Sequence, residues 1–490
     1  MPIDYDLLII GGSLAGYHAA LAATQFRAKV ALVEPQINYE LQYHHALGEI
    51  AKLVQQSQEL ANLGIYSPGF SVNGTKSAVN APSPLITWPK ALLYTEKIGT
   101  NLEQQYSLAN LVAQGVDVIL GDGEFQPSRQ LAFQVGDRSL FARTYILATG
   151  SRSSIPSIEG LQTTGYLTLA NIYQAFQQPN PPKDWVILGG VPQSIEIAQI
   201  LARLGCSVTL IVRQPYLLAE IDPELNQLLI AQLEVDGVKV LTQTQVTQVR
   251  SLEDKKWIQA GDKAISTEEI LVATGTRPNL ELLNLAAAGV KWQQRQLVIN
   301  QKLQTTNRRI YACGEIVGGY SLPNIAKYEA HIALKNALFF PKFSVNYRSI
   351  PWGLNTQPTL AQVGLTETRA KRLFRNNEFL VIKQYFKALP FAQIQGQTTG
   401  ICKLIVRENG LILGASIFGA GAGELINIIA LAMSQNISID KLNNLYSMDS
   451  TYSEILIQSA QDWSQKRLNK NHNYQELLES FFHFRRDWNF

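Results

Sequence analysis

The chain has 490 residues, too many for a single hydrophobic core, so about three domains are expected. Hydrophobic residues make up 46% and charged residues 17%, a globular composition that excludes long disordered tracts. The net charge is only +3 and there is no long basic run before the C-terminus, so no nucleic-acid partner is expected.

Leu7–Ile10 is a short apolar run of the kind that forms a buried parallel strand. Gly11, Gly12, Ser13, Leu14, Ala15 and Gly16 follow directly, then alanine-rich helical spacing through Tyr17–Thr24 and a second strand at Lys29–Val33 ending on Glu34. This strand–turn–helix–strand pattern fits dinucleotide binding. Gly11 allows the tight turn, the helix N-terminus offers free N–H groups to a pyrophosphate, Gly16 lets helix and strand pack closely, and Glu34 can accept hydrogen bonds from a ribose. Ser13 stands where the second glycine of the pattern is usual. The acidic residue about 20 residues on strengthens what a glycine-rich turn alone would leave weak.

Pro35–Tyr66 begins as a polar aromatic loop containing Tyr39, Tyr43, His44 and His45, then turns helical through Ala46–Leu63. Residues 67–86 are rich in Pro, Gly, Ser and Asn and read as an irregular excursion. One long helix is expected over Trp88–Gln114, a strand at Val116–Leu120, a short strand pair around Leu131–Phe141, and an apolar strand at Thr144–Ala148 closing on Thr149 and Gly150. Small residues at that strand end let backbone approach a nucleotide.

QQPNPPKD at Gln177–Asp184 marks a boundary, and the opening pattern then recurs. Trp185–Leu188 is a strand, Gly189, Gly190, Val191, Pro192, Gln193 and Ser194 form a second turn, a helix runs through Leu204, and the strand Val208–Val212 ends on Arg213. Ala273-Thr274-Gly275 echoes Ala148-Thr149-Gly150. Two nucleotide domains in one chain suggest two nucleotides that meet. In the second copy Val191 and Ser194 replace glycines, and Arg213 replaces the acidic ribose ligand. An arginine there suits a 2′-phosphate and so favours NADPH; the bland alternative is a solvated arginine on a domain that has lost its ligand.

IYACGE at Ile310–Glu315 ends a strand at Gly314 and projects Glu315 from a turn, and Ser321–Leu334 reads as a helix. Past Phe340, strands at Leu360–Val363, Phe379–Lys383 and Cys402–Arg407 alternate with helices at Thr366–Arg375, Gly423–Ser434 and Tyr452–Asp462, an α+β third domain. The apolar stretch Leu411–Met433 carries Glu424 and Asn427 and reads as strand then helix, not as a membrane span. The tail Asn471–Phe490 is expected to be an amphipathic helix with an aromatic face. Cys206, Cys313 and Cys402 are scattered, which fits neither a disulfide framework nor a zinc site, and no metal is expected. MPIDYDLL runs straight into a strand, so no signal peptide and a cytoplasmic location are expected.

In this order, the sequence resembles the two-nucleotide-domain flavoprotein disulfide reductases, such as dihydrolipoamide dehydrogenase, glutathione reductase and mercuric reductase, over about residues 5–462. IIGGSLAG with Glu34, ILATGS, ILGGVPQSIE, LVATGTRPN, IYACGE and ILGASIFGAGAGELI carry the resemblance. It implies an α/β chain with two Rossmann-like domains and an α+β dimerisation domain. The FAD domain would comprise residues 1–155 and 280–345, the NAD(P) domain 156–279, the dimerisation domain 346–462, and an aromatic tail 463–490. It further implies FAD on Gly11, Ser13, Gly16, Glu34, Glu124, Thr149, Gly150, Gly314, Glu315 and Asn324, with Pro323 also by the flavin ring. NADP or NAD would lie on Gly189, Gly190, Ser194, Glu196, Arg213 and Gly275, and the protein would be a homodimer. Glu196 matches the family glutamate beside the nicotinamide, and His45 stands near the place of the family lysine that pairs with it.

Two departures set the chain apart. The family's redox cysteine pair should follow the FAD ribose acid, yet no cysteine occurs between Met1 and Gly205. The family histidine that handles thiol protons is replaced by Asp449, five residues before Glu454, and the tail lacks the cysteines that mercuric reductase supplies. Thiolate chemistry needs a thiol and a base. Disulfide, lipoamide and mercury reduction are therefore not expected. The expectation is an FAD enzyme passing electrons from NAD(P)H directly to a small-molecule acceptor such as a quinone or another nicotinamide, with Tyr39, Tyr43, His44 and His45 as candidate walls of the acceptor pocket, Tyr43 and His45 foremost, and Glu196 beside the nicotinamide; the bland alternative for His44 and His45 is polar residues at a helix N-terminus on the domain surface. The alternative is a catalytically degenerate flavoprotein acting as scaffold or sensor, whose tail makes a weak contact with a membrane surface or a protein.

Overall fold

The computed structural model describes residues 3–33, 40–62, 88–127, 130–178, 180–294, 296–319, 322–375, 377–470 and 472–488. Glu34, Tyr39 and the excursion at 67–86 lie outside the described residues. The chain divides into two compact units, one formed by Met1–Leu217 with Gln232–Val345, the other by Leu218–Ala231 with Asn346–Phe490.

The first unit contains two five-stranded parallel sheets. In the first the strand order is Ile310–Ala312, Ala142–Leu147, Tyr5–Ile10, Val30–Val33 and Asp117–Ile119. Its central strand YDLLII is apolar at nearly every position because both faces are covered. Leu7 and Ile9 pack with Ala15, Ala19, Ala20 and Ala23 of the helix Leu14–Gln25, while Leu8 and Ile10 face Phe125, Phe133 and Tyr145. Alanine spacing on that helix lets it lie close to the strands, and Ser13 caps it by accepting from the Gly16 N–H.

The second sheet repeats the plan with the order Val238–Leu241, Ser207–Ile211, Asp184–Leu188, Glu269–Val272 and Leu167–Thr168. In each repeat the first strand pairs on one side with the next strand in sequence and on the other with the strand that leads to the Ala-Thr-Gly end.

Two local expectations need correction. The helix after the first sheet's second strand spans Glu40–Asn62, so Tyr43, His44 and His45 lie in its opening turns and not in a loop. The helix expected over 88–114 is broken into Trp88–Gln105 and Leu108–Ala113, because the Ser107 side chain caps a new helix start on the Asn110 N–H.

The second unit is built on a five-stranded antiparallel sheet, ordered Trp352–Leu354, Thr359–Gly364, Ile412–Gly419, Ile401–Arg407 and Phe379–Tyr385. Leu425, Ile426 and Ile429 of the helix Ala422–Ser434 and Ile455, Leu456 and Trp463 of the helix Glu454–Lys470 close its core. Lys403 points into this unit and is only 2% exposed. Its ammonium meets Asp222 at 3.3 Å, Glu224 at 2.9 Å and Glu367 at 2.9 Å. Asp222 also accepts from the backbone N–H groups of Glu367 and Thr368 and from the Thr368 hydroxyl, which anchors the segment Leu218–Ala231. The tail helix His472–Asp487 presents Leu477, Phe481, Phe482 and Phe484 to solvent, and Trp488 just past its end is exposed as well. Among the described residues, no helix is long and apolar enough to cross a membrane.

Candidate active site

The two glycine turns are built alike. The Gly11 N–H donates to the Val33 carbonyl at 3.0 Å and the Ala148 N–H to Ile10 at 2.7 Å; in the repeat, Gly189 donates to Ile211 at 2.9 Å and Ala273 to Leu188 at 2.8 Å. Gly11 has φ +105° and Gly189 φ +120°. A Cβ at Gly11 would lie 2.4 Å from the Ala148 carbonyl, and one at Gly189 would lie 2.0 Å from the Ala273 oxygen. Each turn is therefore pressed against its Ala-Thr-Gly strand end, which explains why both motifs recur together.

The third glycine position separates the repeats. A Cβ at Gly16 would sit 2.1 Å from the Gly11 oxygen, so glycine is required there. Ser194 occupies the same place in the repeat, with its hydroxyl donating to the Val191 carbonyl at 2.8 Å and the Gly189 carbonyl at 3.1 Å. That hydroxyl is spent on the turn itself. Val191 is the residue before the helix Pro192–Arg203 and caps it with no side-chain bond. Gly190 is close-packed, since a Cβ there would lie 2.7 Å from the Leu217 oxygen. Arg213 is exposed just past the end of the strand Ser207–Ile211.

Beyond the first turn, Thr149 donates its hydroxyl to the Asn279 carbonyl at 2.8 Å, and the Asn279 amide donates to the Thr149 carbonyl at 3.0 Å. Gly150 is held by the Asn279 N–H. Glu315 is half-buried in the short turn of helix Gly314–Val317 and accepts from the Ser151 hydroxyl at 2.5 Å. The Gly314 N–H donates to the buried Glu329 carboxylate at 2.8 Å. Asn279, Ser151 and Glu329 thus fix the backbone and carboxylate that the motifs offer. Glu124 lies exposed on the strand Gly123–Gln126, with its carboxylate accepting from the Gln126 amide, and Asn324 is exposed at the start of the helix Pro323–Leu338. Gly275 has φ +110°, and its carbonyl accepts from the Ser154 N–H.

Tyr43, His44 and His45 are consecutive on a helix, so their side chains point about 100° apart. Tyr43 packs on the helix Trp88–Gln105 at Gly99, where a Cβ would fall 2.3 Å from its ring, and its ring lies 5.5 Å from that of Tyr173. Burial raises its phenol above the ordinary value, and Glu103 and Glu96 add to the effect. His44 carries the contact expected of His45. Its Nε2 lies 2.7 Å from Oε2 of Glu196, with both side chains 5% exposed. Four residues on, Gly48 meets Ile200 on the helix Pro192–Arg203. Residues 44 and 48 thus face 196 and 200 in parallel rows, the spacing of two packed helix faces. His45 is exposed yet walled by protein on most sides; that desolvation lowers its pKa, while the Glu196 carboxylate opposes the shift. Tyr43 therefore packs between helices, while His45 is exposed on the same helix. Gly99→Ala would overpack the Tyr43 contact and is expected to destabilise the protein by about 2 kcal/mol in urea unfolding.

Two family models match the chain, pyridine nucleotide-disulphide oxidoreductase over residues 5–330 and the dimerisation domain of the same family over 350–460. The chain belongs to the pyridine nucleotide-disulphide oxidoreductase family. It is 29% identical to a mercuric reductase of Staphylococcus aureus, over 92% of this chain and 81% of that one. It is 26% identical to a dihydrolipoyl dehydrogenase of Geobacillus stearothermophilus, over 94% and 96% of the two chains. Its fold superposes with a TM-score of 0.78 on a flavoprotein disulfide reductase of Escherichia coli solved as a Cu(II) complex, over 94% and 99% of the two chains at 22% identity. Members of this family bind FAD and NAD(P) and are oxidoreductases. The first turn fits such a cofactor: the capped helix N-terminus and the glycines tucked against Ala148 leave the backbone free of side-chain bulk. Among the described residues, no group of three metal-ligating side chains is placed to hold an ion.

Proposed function

We propose that this chain is a homodimeric FAD-dependent NAD(P)H oxidoreductase that passes electrons to a small-molecule acceptor other than a disulfide, such as a quinone or a second nicotinamide. The observation that carries this reading is the state of its thiols. No cysteine lies in the first 205 residues, and Cys206, Cys313 and Cys402 are all buried and unpaired with one another. Burial pushes the Cys206 and Cys402 thiols up to about 12 and raises Cys313 as well. A thiol in that state supplies almost no thiolate near neutral pH.

Bound FAD supplies hydride acceptance from NAD(P)H and onward electron transfer. The chain's part is to hold and orient. The helix N-terminus after Ser13 and the Gly11 backbone suit the FAD pyrophosphate, with Glu34, Glu124, Thr149, Gly150, Gly314, Glu315 and Asn324 along the rest of the cofactor. Gly189, Gly190, Ser194 and Gly275 shape the nicotinamide-dinucleotide turn. Arg213 suits a 2′-phosphate, which makes NADPH the preferred donor. Glu196, held by His44, would lie beside the nicotinamide, and His45 would face the acceptor.

Anaerobic stopped-flow mixing with NADPH and NADH tests this. The expected result is bleaching of the flavin band, faster with NADPH, then reoxidation by a quinone or thio-NAD and none by lipoamide or glutathione disulfide. Absence of bleaching with both donors, or steady turnover of a disulfide, would overturn it.

A further inference from the structure

The last helix, His472–Asp487, lies beyond residues 350–460, the span matched by the family's dimerisation domain. It follows the helix Glu454–Lys470, which starts inside that span and sends Ile455, Leu456, Ala460 and Trp463 into the core of the second unit. The tail helix is different. From residue 475 to residue 488, all but Gln475 and Leu478 are exposed. Leu477, Phe481 and Phe484 are 62%, 51% and 56% exposed, and Trp488 just past the helix end continues the row. A helix of this length draws most of its stability from burying an apolar face, so these side chains call for a cover.

The pattern of the face says what covers it. Residues 477, 481, 484 and 488 are spaced by four, three and four. At about 100° per residue they fall in a stripe about 60° wide. That is the narrow seam of a helix that packs on another helix. A helix lying in a bilayer surface has a strongly polar face rich in lysine and arginine opposite its apolar one. Here Glu476, Glu479 and Asp487 outnumber Arg485 and Arg486, so anionic lipid has no net attraction for it. Phe482 lies off the stripe, with its ring edge-on to Phe481 at 5.5 Å between centroids. Charge also sets a direction. Arg485 borders the seam on one side and Asp487 on the other. Two such helices in parallel bring unlike flanks together, whereas antiparallel ones bring like flanks together.

We infer that the tail helix pairs in parallel with the same helix of a second copy of this chain, along Leu477, Phe481, Phe484 and Trp488. This pairing rests on the homodimer proposed above and gives it a second point of closure. A symmetric dimer presents one surface twice, which is what a self-complementary seam needs. A seam of about two heptads is too short to join free chains, but dimerisation domains that already hold two copies together present the helices to each other at high effective concentration.

The test is site-specific cross-linking of the full-length, FAD-loaded protein. Cys206, Cys313 and Cys402 are buried, so a single introduced cysteine is the exposed thiol of each variant. Leu477→Cys and Phe484→Cys put it on the seam, and Glu479→Cys puts it on the far side of the helix. A disulfide needs Cα atoms within about 7 Å of each other, which equivalent residues of two copies reach across a parallel seam. Under copper–phenanthroline oxidation both seam variants should form covalent dimers at least about tenfold faster than Glu479→Cys. Equal rates at all three positions, or no seam cross-link in protein that light scattering shows to be dimeric, would overturn the inference. Flotation with phosphatidylserine vesicles that is lost when the chain ends at Lys470 would overturn it in favour of a membrane. A monomeric wild type would overturn it together with the homodimer, while flavin reduction by NADPH in the same preparation reads the rest of the proposed function separately.

Discussion

Gly11→Ala is expected to produce protein that retains no FAD and is destabilised by roughly 4 kcal/mol. Two costs act at one atom. The residue sits at φ +105°, where a side chain costs of the order of 1–3 kcal/mol. The new Cβ would lie 2.4 Å from the Ala148 carbonyl, and the strand end must shift by comparable strain. That shift moves the helix N-terminus and Thr149 together, so cofactor binding fails before the fold does. Gly115→Ala is the matched control: Gly115 also has a positive φ, +89°, but its Cβ would meet nothing within 4 Å. It should lose about 1 kcal/mol and keep its full flavin content. The ratio of flavin to protein absorbance after gel filtration reads the first effect and urea unfolding the second. Equal flavin content in Gly11→Ala and wild type would refute the turn's assigned role.

Lys403→Met is expected to destabilise the C-terminal unit by about 3–5 kcal/mol, the range for removing one partner of a buried charge cluster. Asp222, Glu224 and Glu367 would remain converging on an apolar chain. The acid side of the stability profile gives a second reading. Burial alone would raise the Glu367 carboxyl, but the ammonium groups of Lys371 and Lys403 overcome it and hold the pKa at about 2, against an ordinary 4.5. A carboxylate depressed in the folded state stabilises the fold above its unfolded pKa, and that contribution is lost as pH falls from about 4.5 toward about 2. Glu224 is depressed in the same direction, burial again opposing Lys383 and Lys403. In Lys403→Met the loss across this window should shrink. Urea midpoints measured at several acid pH values check both statements, and a variant as stable as the wild type would refute the cluster's role.

The nucleotide turns were legible in the sequence because their physics is local. A glycine pressed on a carbonyl and a helix started by a serine leave marks within six residues, and the return of the glycine turn at 189–194, without the serine cap, together with the second Ala-Thr-Gly end points to the two-sheet plan. The side-chain site was less legible. His45 was expected where His44 stands, because a loop assignment carries no phase. Once the helix starts at Glu40, the 100° step puts His44 and Gly48 on one face and sends Tyr43 and His45 elsewhere. Ser107 divided a helix that apolar spacing alone had joined. Asn279, Ser151 and Glu329 left no signal as partners, since each acts on a residue distant in sequence. The Lys403 cluster escaped for the same reason.

The placement of Leu218–Ala231 with the C-terminal unit bears on how such a chain can be cut and exchanged. A break between Val345 and Asn346 divides the sequence cleanly but not the protein. The front piece would carry Asp222 and Glu224 away from their ammonium, and the rear piece would keep Lys403 with Glu367 and no Asp222. A chimaera that takes its C-terminal unit from a relative must therefore take residues 218–231 from the same parent. The two units are inherited as interleaved stretches, and recombination at a single junction does not yield a working hybrid unless both parents already agree on the charges at 222, 224, 367 and 403.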